Sequence, residues 1–382
     1  MNDQRMESAV GFDVPARVGM HLDQVATPAL IVDLDAFEHN IAVLRERLRQ
    51  AGMRLRAHAK THKSADIAKY QLEHGGACGI CCQKVSEAEA LVAGGINDVL
   101  VSNQVVDPAK IERLAQMATR ARVLVCVDDT GNIDDLSAAA QRQDASIECL
   151  VEIDCGAGRC GVEPGSAAVT LAQKISQSPG LVFAGIQAYQ GAAQHIRDYA
   201  ERGTAITAAA GHAAATVEAL AAAGLACDIV AGAGTGSYCF EAASGIYNEM
   251  QCGSYVFMDA DYQRVLGEDG APIGEFKNSL FVWTSIMSKA RPGHAVCDAG
   301  LKVMSAESGL PVVFGLDDLE YIGISDEHGV IADPNESLRL NDRLKLIPGH
   351  CDPTCNLHDW YVGVRGERVE CLWPVSARGR AF

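Results

Sequence analysis

The stretch RLRAHAKTHKS, Arg54 to Ser64, decides the fold. A short strand-like run of alternating character ends in a lysine, Lys60, with a histidine on each side, His58 and His62. Outward from it the same grammar repeats along the chain. Short β-rich runs are expected at 54–59, 77–82, 98–102, 122–128, 147–154, 182–189, 227–232 and 249–255. Between them lie longer Ala-, Leu-, Glu- and Arg-rich segments of helical period, for example 85–95, 108–118 and 204–224. Gly94, Gly95 and Gly224 mark helix ends. Eight strands, each followed by a helix, is the count of a parallel (β/α)8 barrel. Barrels of this kind place their active sites at the C-terminal ends of the strands. Lys60 closes the first strand and is therefore expected at the barrel mouth.

Beyond about residue 265 the pattern changes. Strand-like runs such as NSLFVWTSIMSKA and DWYVGVRGERVECLWPV are separated by turn residues with little helical period, which reads as a β domain. The early run TPALIVDLDAF (27–37) is an extra strand and helix start ahead of the barrel, expected to pair with that domain. The expected organisation is an N-terminal tail and strand at 1–35, the barrel at 36–264 and the β domain at 265–382.

Composition narrows the function classes. The formal net charge is -17, without a basic tract of five residues, which argues against nucleic acid and against an anionic membrane surface as partners. The N-terminal stretch is polar and lacks a secretory apolar core, and no apolar run approaches a membrane span, so a cytoplasmic protein is expected. Fourteen scattered cysteines read as reduced thiols. The CGIC spacing at Cys78 to Cys81 sits inside an apolar strand rather than at a helix start, where a thiolate would be stabilised.

Four places can carry chemistry. An ordinary strand-end lysine reaches to solvent. The buried strand before Lys60 and the positive charge of His58, His62 and Lys63 both favour a neutral amine instead, the form that makes a Schiff base with a carbonyl or with pyridoxal phosphate. In VAGAGTGSYCF (230–240) the small residues Gly234, Thr235, Gly236 and Ser237 let backbone N–H groups approach a phosphate, a tight turn being the plainer reading. Arg159 lies in the glycine-rich loop VEIDCGAGRCGV, where it is either a surface arginine or a partner for a pyridine nitrogen. His350 and Asp352 suit a divalent ion such as Mn²⁺, Mg²⁺ or Zn²⁺, or else cap a turn. Cys351 and Cys355 keep a thiolate-bound metal open, and His358 and Asp359 are candidates to support the ligands. His328, beside Asp326 and Glu327, either completes an acid–base set or faces solvent.

Taken in order, TPALIVDLDAFEHNI, AHAKTHK, GICCQKVSEAEA, VEIDCGAGRCGV, GIQAYQG, GTGS, QCGSYVFMDADY, DAGLK, DEHG and PGHCDPTCNLHDWYVGV resemble the D-threonine aldolase and D-serine dehydratase family of pyridoxal phosphate enzymes, over nearly the whole chain. The resemblance implies an alanine-racemase type of fold, with an N-terminal (β/α)8 barrel, a C-terminal β domain and a homodimer. It puts Lys60 on the Schiff-base lysine and Arg159 near the cofactor ring nitrogen. It puts Gly234 to Ser237 in the phosphate loop, with Tyr189 and Tyr255 as further cofactor contacts. His350 and Asp352 fall on the metal ligands, for which Mn²⁺ or Mg²⁺ is expected, and Cys351 between them is then not a ligand. His-x-Asp, where the dehydratases of the family tend to carry His-x-Cys, points to the aldolases. Gln190 stands where a histidine is expected in D-threonine aldolases, which puts any role of that histidine in doubt here. The expected substrate is a small D-3-hydroxy amino acid, foremost D-3-hydroxyaspartate, cleaved between Cα and Cβ to glycine and glyoxylate. D-Threonine cleavage, elimination from D-serine or 3-hydroxyaspartate, racemisation and non-catalytic cofactor binding are the alternatives. The general base is left open among His58, His62, His328 and a metal-bound water.

Overall fold

A computed structural model describes residues 9–382, so the first eight residues of the expected N-terminal tail lie outside the described residues. After β1 (Ala29–Asp33) and α1 (Leu34–Ala51), eight strands close a parallel barrel: β2 (Arg54–His58), β3 (Ala77–Cys82), β4 (Asp98–Val101), β5 (Arg122–Val127), β6 (Ile147–Glu152), β7 (Leu181–Gln187), β8 (Ile229–Gly232) and β9 (Glu249–Met250). Closure is by β9 lying parallel to β2, with Arg54 opposite Glu249 and Leu55 opposite Met250. The alternating helices are α2 (Ala65–Glu73), α3 (Val85–Ala93), α4 (Pro108–Ala118), α5 (Thr130–Arg142), α6 (Ser166–Gln177), α7 (Tyr199–Ala222) and α8 (Tyr238–Ala243).

Local sequence sets these boundaries. Asp107, Asp129 and Asp198 each accept a backbone N–H two or three residues into the helix that follows, and Pro108 fits the first turn of α4, where no N–H is needed. The Asp198 cap starts α7 five residues before the expected 204. The last barrel strand is two residues long rather than the seven expected at 249–255. The chain bends at Gly253, where an added Cβ would lie 2.6 Å from Thr61 Oγ1, so only glycine lets it pass that close to the first barrel strand. Inside the barrel, Cys81, Leu100, Leu124, Cys126, Leu150, Ala184, Ile229 and Ala231 form one apolar cluster. This is a filled core rather than a pore. Helix α7 is long and apolar enough, by length and composition, to cross a membrane, which the sequence reading did not anticipate. It nevertheless carries the buried Arg202, which donates to the carbonyls of Ile196, Arg197 and Leu266.

The chain splits into two compact units. One is the barrel, Ile41–Tyr255 with Arg264–Ile273 and Arg380–Phe382. The other comprises the described residues up to Asn40, with Val256–Gln263 and Gly274–Gly379. The division falls inside α1 and just ahead of Val256, not at the expected 36 and 265. In the second unit a sheet is built from β10 (Leu280–Arg291), β11 (His294–Cys297), β12 (Val312–Val313), β13 (Glu320–Ile324), β14 (Gly329–Ala332), β15 (Arg343–Ile347), β16 (Trp360–Arg365) and β17 (Arg368–Pro374). β1 lies between β10, antiparallel to it, and β16, parallel to it. Ile31, Phe281, Trp283, Ile347, Val362 and Val364 are central to the apolar core of this unit. A one-turn helix, α9 (Cys351–Cys355), sits between β15 and β16.

Candidate active site

The C-terminal ends of the barrel strands carry nearly every barrel residue singled out above. Lys60 follows β2 in a turn and is half-buried. The Lys60 backbone N–H donates to His58 Nδ1 at 3.4 Å. His58 Nε2 lies 3.1 Å from Gln83 Nε2 and 3.3 Å from Ser102 Oγ, which itself donates to the carbonyl of Cys82. His62 is fully buried. Its Nδ1 accepts the Ser64 N–H at 3.1 Å, and its Nε2 donates to Gln71 Oε1 at 3.2 Å. Gln71 in turn donates to the hydroxyl of Tyr255 at 3.1 Å. In each ring Nδ1 faces the backbone N–H two residues on, which ties both histidines to the turn that carries Lys60. Lys63, in a left-handed backbone conformation (φ 51°), pairs with Glu87 at 2.7 Å.

Across the mouth, Arg159 is exposed, its guanidinium 3.7 Å from Glu152 and over the ring of Tyr189 at 5.6 Å. Glu152 ends β6. Burial pushes its carboxyl above the usual range, against the hydrogen bond from Gln104 and the charge of Arg159. Gly161 (φ 100°) lets the loop return under Arg159, since an added Cβ would lie 2.6 Å from the carbonyl carbon of Ile153. Gln190 holds the Ala192 N–H at 3.3 Å.

The loop after β8 begins with Ala233 in the left-handed region (φ 70°), an uncommon conformation for a non-glycine residue and one that clusters at functional sites. Thr235 Oγ1 accepts the Tyr255 N–H at 3.0 Å, which ties that tyrosine to the loop. Two residues missed from the sequence complete it. Gln194 accepts the Gly236 N–H at 2.9 Å and donates to Ser237 Oγ at 2.7 Å. Ser237 Oγ donates to the buried Glu241 at 2.8 Å.

In the second unit, His350 Nδ1 lies 2.7 Å from Glu307, and His350 Nε2 lies 3.8 Å from Asp352 Oδ1. Among the described residues no three His, Cys, Asp or Glu side chains converge as a ready metal cage. A His and a carboxylate are chemically suited to a divalent ion, and the Glu307 contact would orient the ring. Burial holds the thiols of Cys351 and Cys355 above their ordinary pKa, and both side chains are fully buried. Burial lowers the His358 pKa and the ring donates to the carbonyl of Val303, while Asp359 pairs with Arg378. His328 is exposed in the β13–β14 turn, and the neighbouring Glu327 pairs with Lys302. All fourteen cysteines are free, and burial raises Cys78 to about 11, against a redox role for CGIC.

Comparison with known proteins agrees with this geometry. The model of the alanine racemase N-terminal domain matches residues 32–261, and a serine dehydratase domain model matches 279–364. The chain belongs to the D-threonine aldolase and D-serine dehydratase family. It is 56% identical to a 3-hydroxy-D-aspartate aldolase of Paracoccus denitrificans, over 98% of this chain and 97% of that one. It is 46% identical to a D-threonine aldolase of an Arthrobacter species, over 98% and 99% of the two chains. The crystal structure of D-threonine aldolase from Filomicrobium marinum superposes with a TM-score of 0.93 at 48% identity, covering 97% of this chain and all of that one. The alanine-racemase type of fold expected from the sequence is thus present.

Membership of this aldolase and dehydratase family implies pyridoxal phosphate as cofactor. The residues present fit that group. A half-buried lysine and a buried, glycine-lined loop lie at the same end of one closed barrel. The hydroxyl of Thr61, next to the lysine, is buried without a hydrogen-bond partner.

Proposed function

We propose that this protein is a carbon–carbon lyase that cleaves D-3-hydroxyaspartate to glycine and glyoxylate. The observation that carries the reading is the 56% identity, spanning 98% of the chain, with a 3-hydroxy-D-aspartate aldolase. The His350-x-Asp352 pair supports it.

In this reading Lys60 holds pyridoxal phosphate. Gly234, Thr235, Gly236 and Ser237 receive its phosphate, and Arg159, Tyr189 and Tyr255 bound its ring. When bound, the cofactor supplies an electron sink for the pair released as the Cα–Cβ bond breaks. The Arg159 guanidinium has donors and no acceptor, so it would meet a ring nitrogen through that nitrogen's lone pair. His58 and His62 fix the turn that presents Lys60 and the hydrogen-bond chain through Gln71 to Tyr255. Lys60 would hold the cofactor and, when its amine is free, would hold the proton that Cα receives. His350 and Asp352 hold a divalent cation, Mn²⁺ or Mg²⁺, which when bound supplies Lewis acidity at the 3-hydroxyl and charge for the distal carboxylate. A homodimer in the cytoplasm completes the reading, supported by the family resemblance and by the free cysteines.

The test is a product analysis with pyridoxal phosphate and Mn²⁺ supplied. D-3-Hydroxyaspartate is expected to give glyoxylate and glycine, faster than D-threonine gives acetaldehyde. Oxaloacetate and ammonia would overturn the reading in favour of elimination.

A further inference from the structure

Behind the phosphate loop stands a group of the wrong charge. Glu241, on α8, is buried among barrel residues, with one carboxyl oxygen accepting from Ser237 Oγ and the other without a hydrogen-bond partner. No lysine or arginine pairs with it among the described residues. The titratable groups that face it are Cys155 in the loop after β6, Tyr247 ahead of β9 and Cys252 beyond β9. Burial raises the pKa of all three, so all are uncharged near pH 7. From the loop between β7 and α7 it is approached through Gln194, which is neutral and donates to the same Ser237 oxygen. Nothing nearby offsets a negative charge, and burial lifts the Glu241 carboxyl to about 7.

The hydroxyl between them carries the consequence. While Glu241 is ionised it can only accept, so the Ser237 proton points at Glu241 and away from the loop. Ser237 Oγ, which receives Gln194 Nε2 at 2.7 Å and the Gly234 N–H at 3.4 Å, then has no proton to offer a ligand of the loop, the wrong polarity for a phosphate. Once Glu241 is protonated the direction can reverse. The carboxyl O–H donates to Ser237 Oγ, Gln194 Nε2 donates to its other lone pair, and the Ser237 O–H is released toward the loop. Resting on the reading of 234–237 as the phosphate loop, we propose that Glu241 is a positioning residue that sets the polarity of Ser237, so that binding of a phosphate dianion draws a proton from solvent onto Glu241.

The test is calorimetric titration of the full-length protein, freed of cofactor, with pyridoxal phosphate and with pyridoxal as the phosphate-free reference. It is run at pH 8 in two buffers of different ionisation enthalpy. A phosphate ester is already a dianion there, its second pKa being about 6, so it takes up no proton itself. The expected result is uptake of about one proton more with pyridoxal phosphate than with pyridoxal. The preference for the phosphorylated ligand should also fall about tenfold between pH 7.5 and pH 8.5. In Glu241→Gln the amide donates to Ser237 at every pH, so the extra proton and the pH dependence should both vanish while the preference persists. Preferential binding of pyridoxal phosphate without extra proton uptake in the unaltered protein would overturn the proposal, as would the same uptake in Glu241→Gln. Should that variant not fold, the proton count of the unaltered protein decides alone. Pyridoxal binding as tightly as pyridoxal phosphate would instead remove the phosphate-loop reading, and the proposal with it.

Discussion

At the N-terminal ends of the barrel strands, Arg56 is fully buried between Glu249, at 2.8 Å, and Asp98, at 2.5 Å. Arg122 extends the chain of charges from Asp98 to Glu148, with contacts of 2.9 and 2.6 Å. Burial alone would lower the Arg56 pKa, but Glu249 and Asp98 outweigh it and raise it further. At the C-terminal ends of the same strands the polar groups are arranged differently. Lys60 meets His58, Arg159 meets Glu152, and Gln194 and Glu241 meet through Ser237, while the oxygens of Glu241, Thr61 and Gln104 include buried atoms without a partner. The end whose charges are matched internally holds the barrel shut. The end left short of partners is the one prepared for a ligand. The same strands thus serve stability at one end and chemistry at the other.

The largest effect should separate the two ends completely. Lys60→Ala is expected to lower aldolase turnover on the order of 10³-fold or more, the scale of losing a catalytic nucleophile. Its urea midpoint should move little, because Lys60 belongs to no part of the charge network that closes the barrel. Arg56→Met should do the reverse. It leaves Glu249 buried without its arginine and is expected to cost about 3–5 kcal/mol in urea unfolding, with kcat of the folded fraction unchanged. A comparable loss of kcat would show that the two ends are not separable.

A third prediction concerns pH. The Glu241 carboxyl is raised from 4.5 to about 7 by burial. The folded state therefore binds the proton more tightly than the unfolded chain. That contribution is fully present below pH 4.5 and is lost as pH rises through 7. Without cofactor, Glu241→Gln should be more stable than the unaltered protein at pH 8, by up to about 3 kcal/mol, and close to it at pH 5. Unfolding curves at the two pH values check the sign. The smallest effect belongs to the solvent edge of the closed end. Arg122→Ala removes a half-exposed pair and should cost about 1 kcal/mol or less, falling further in salt.

Much of this was legible in the sequence because it is local. Strand and helix alternation, the Lys60 turn and the glycine-rich loops are written in contiguous residues, and the barrel strands begin and end within a few residues of expectation. The partners were harder, because they come from distant segments. Nothing in the sequence ties Gln194 to Ser237 or Gln71 to Tyr255. The sequence shows His58 and His62 only as neighbours of Lys60 along the chain. Only the folded backbone shows which ring nitrogens are occupied. One missed residue did leave a signal. Ser237 and Glu241 are four apart at a helix start, the spacing that brings two side chains onto one face. Gly253 cut the last strand short for a reason that exists only in the closed barrel.

Which lysine is reactive decides most directly whether the open end is the catalytic one. Borohydride reduction of the protein with pyridoxal phosphate, followed by peptide mapping, should place the adduct on Lys60 and leave Lys60→Ala unlabelled. An adduct on another lysine, or undiminished labelling and turnover in Lys60→Ala, would contradict the assignment of the open end as the catalytic one.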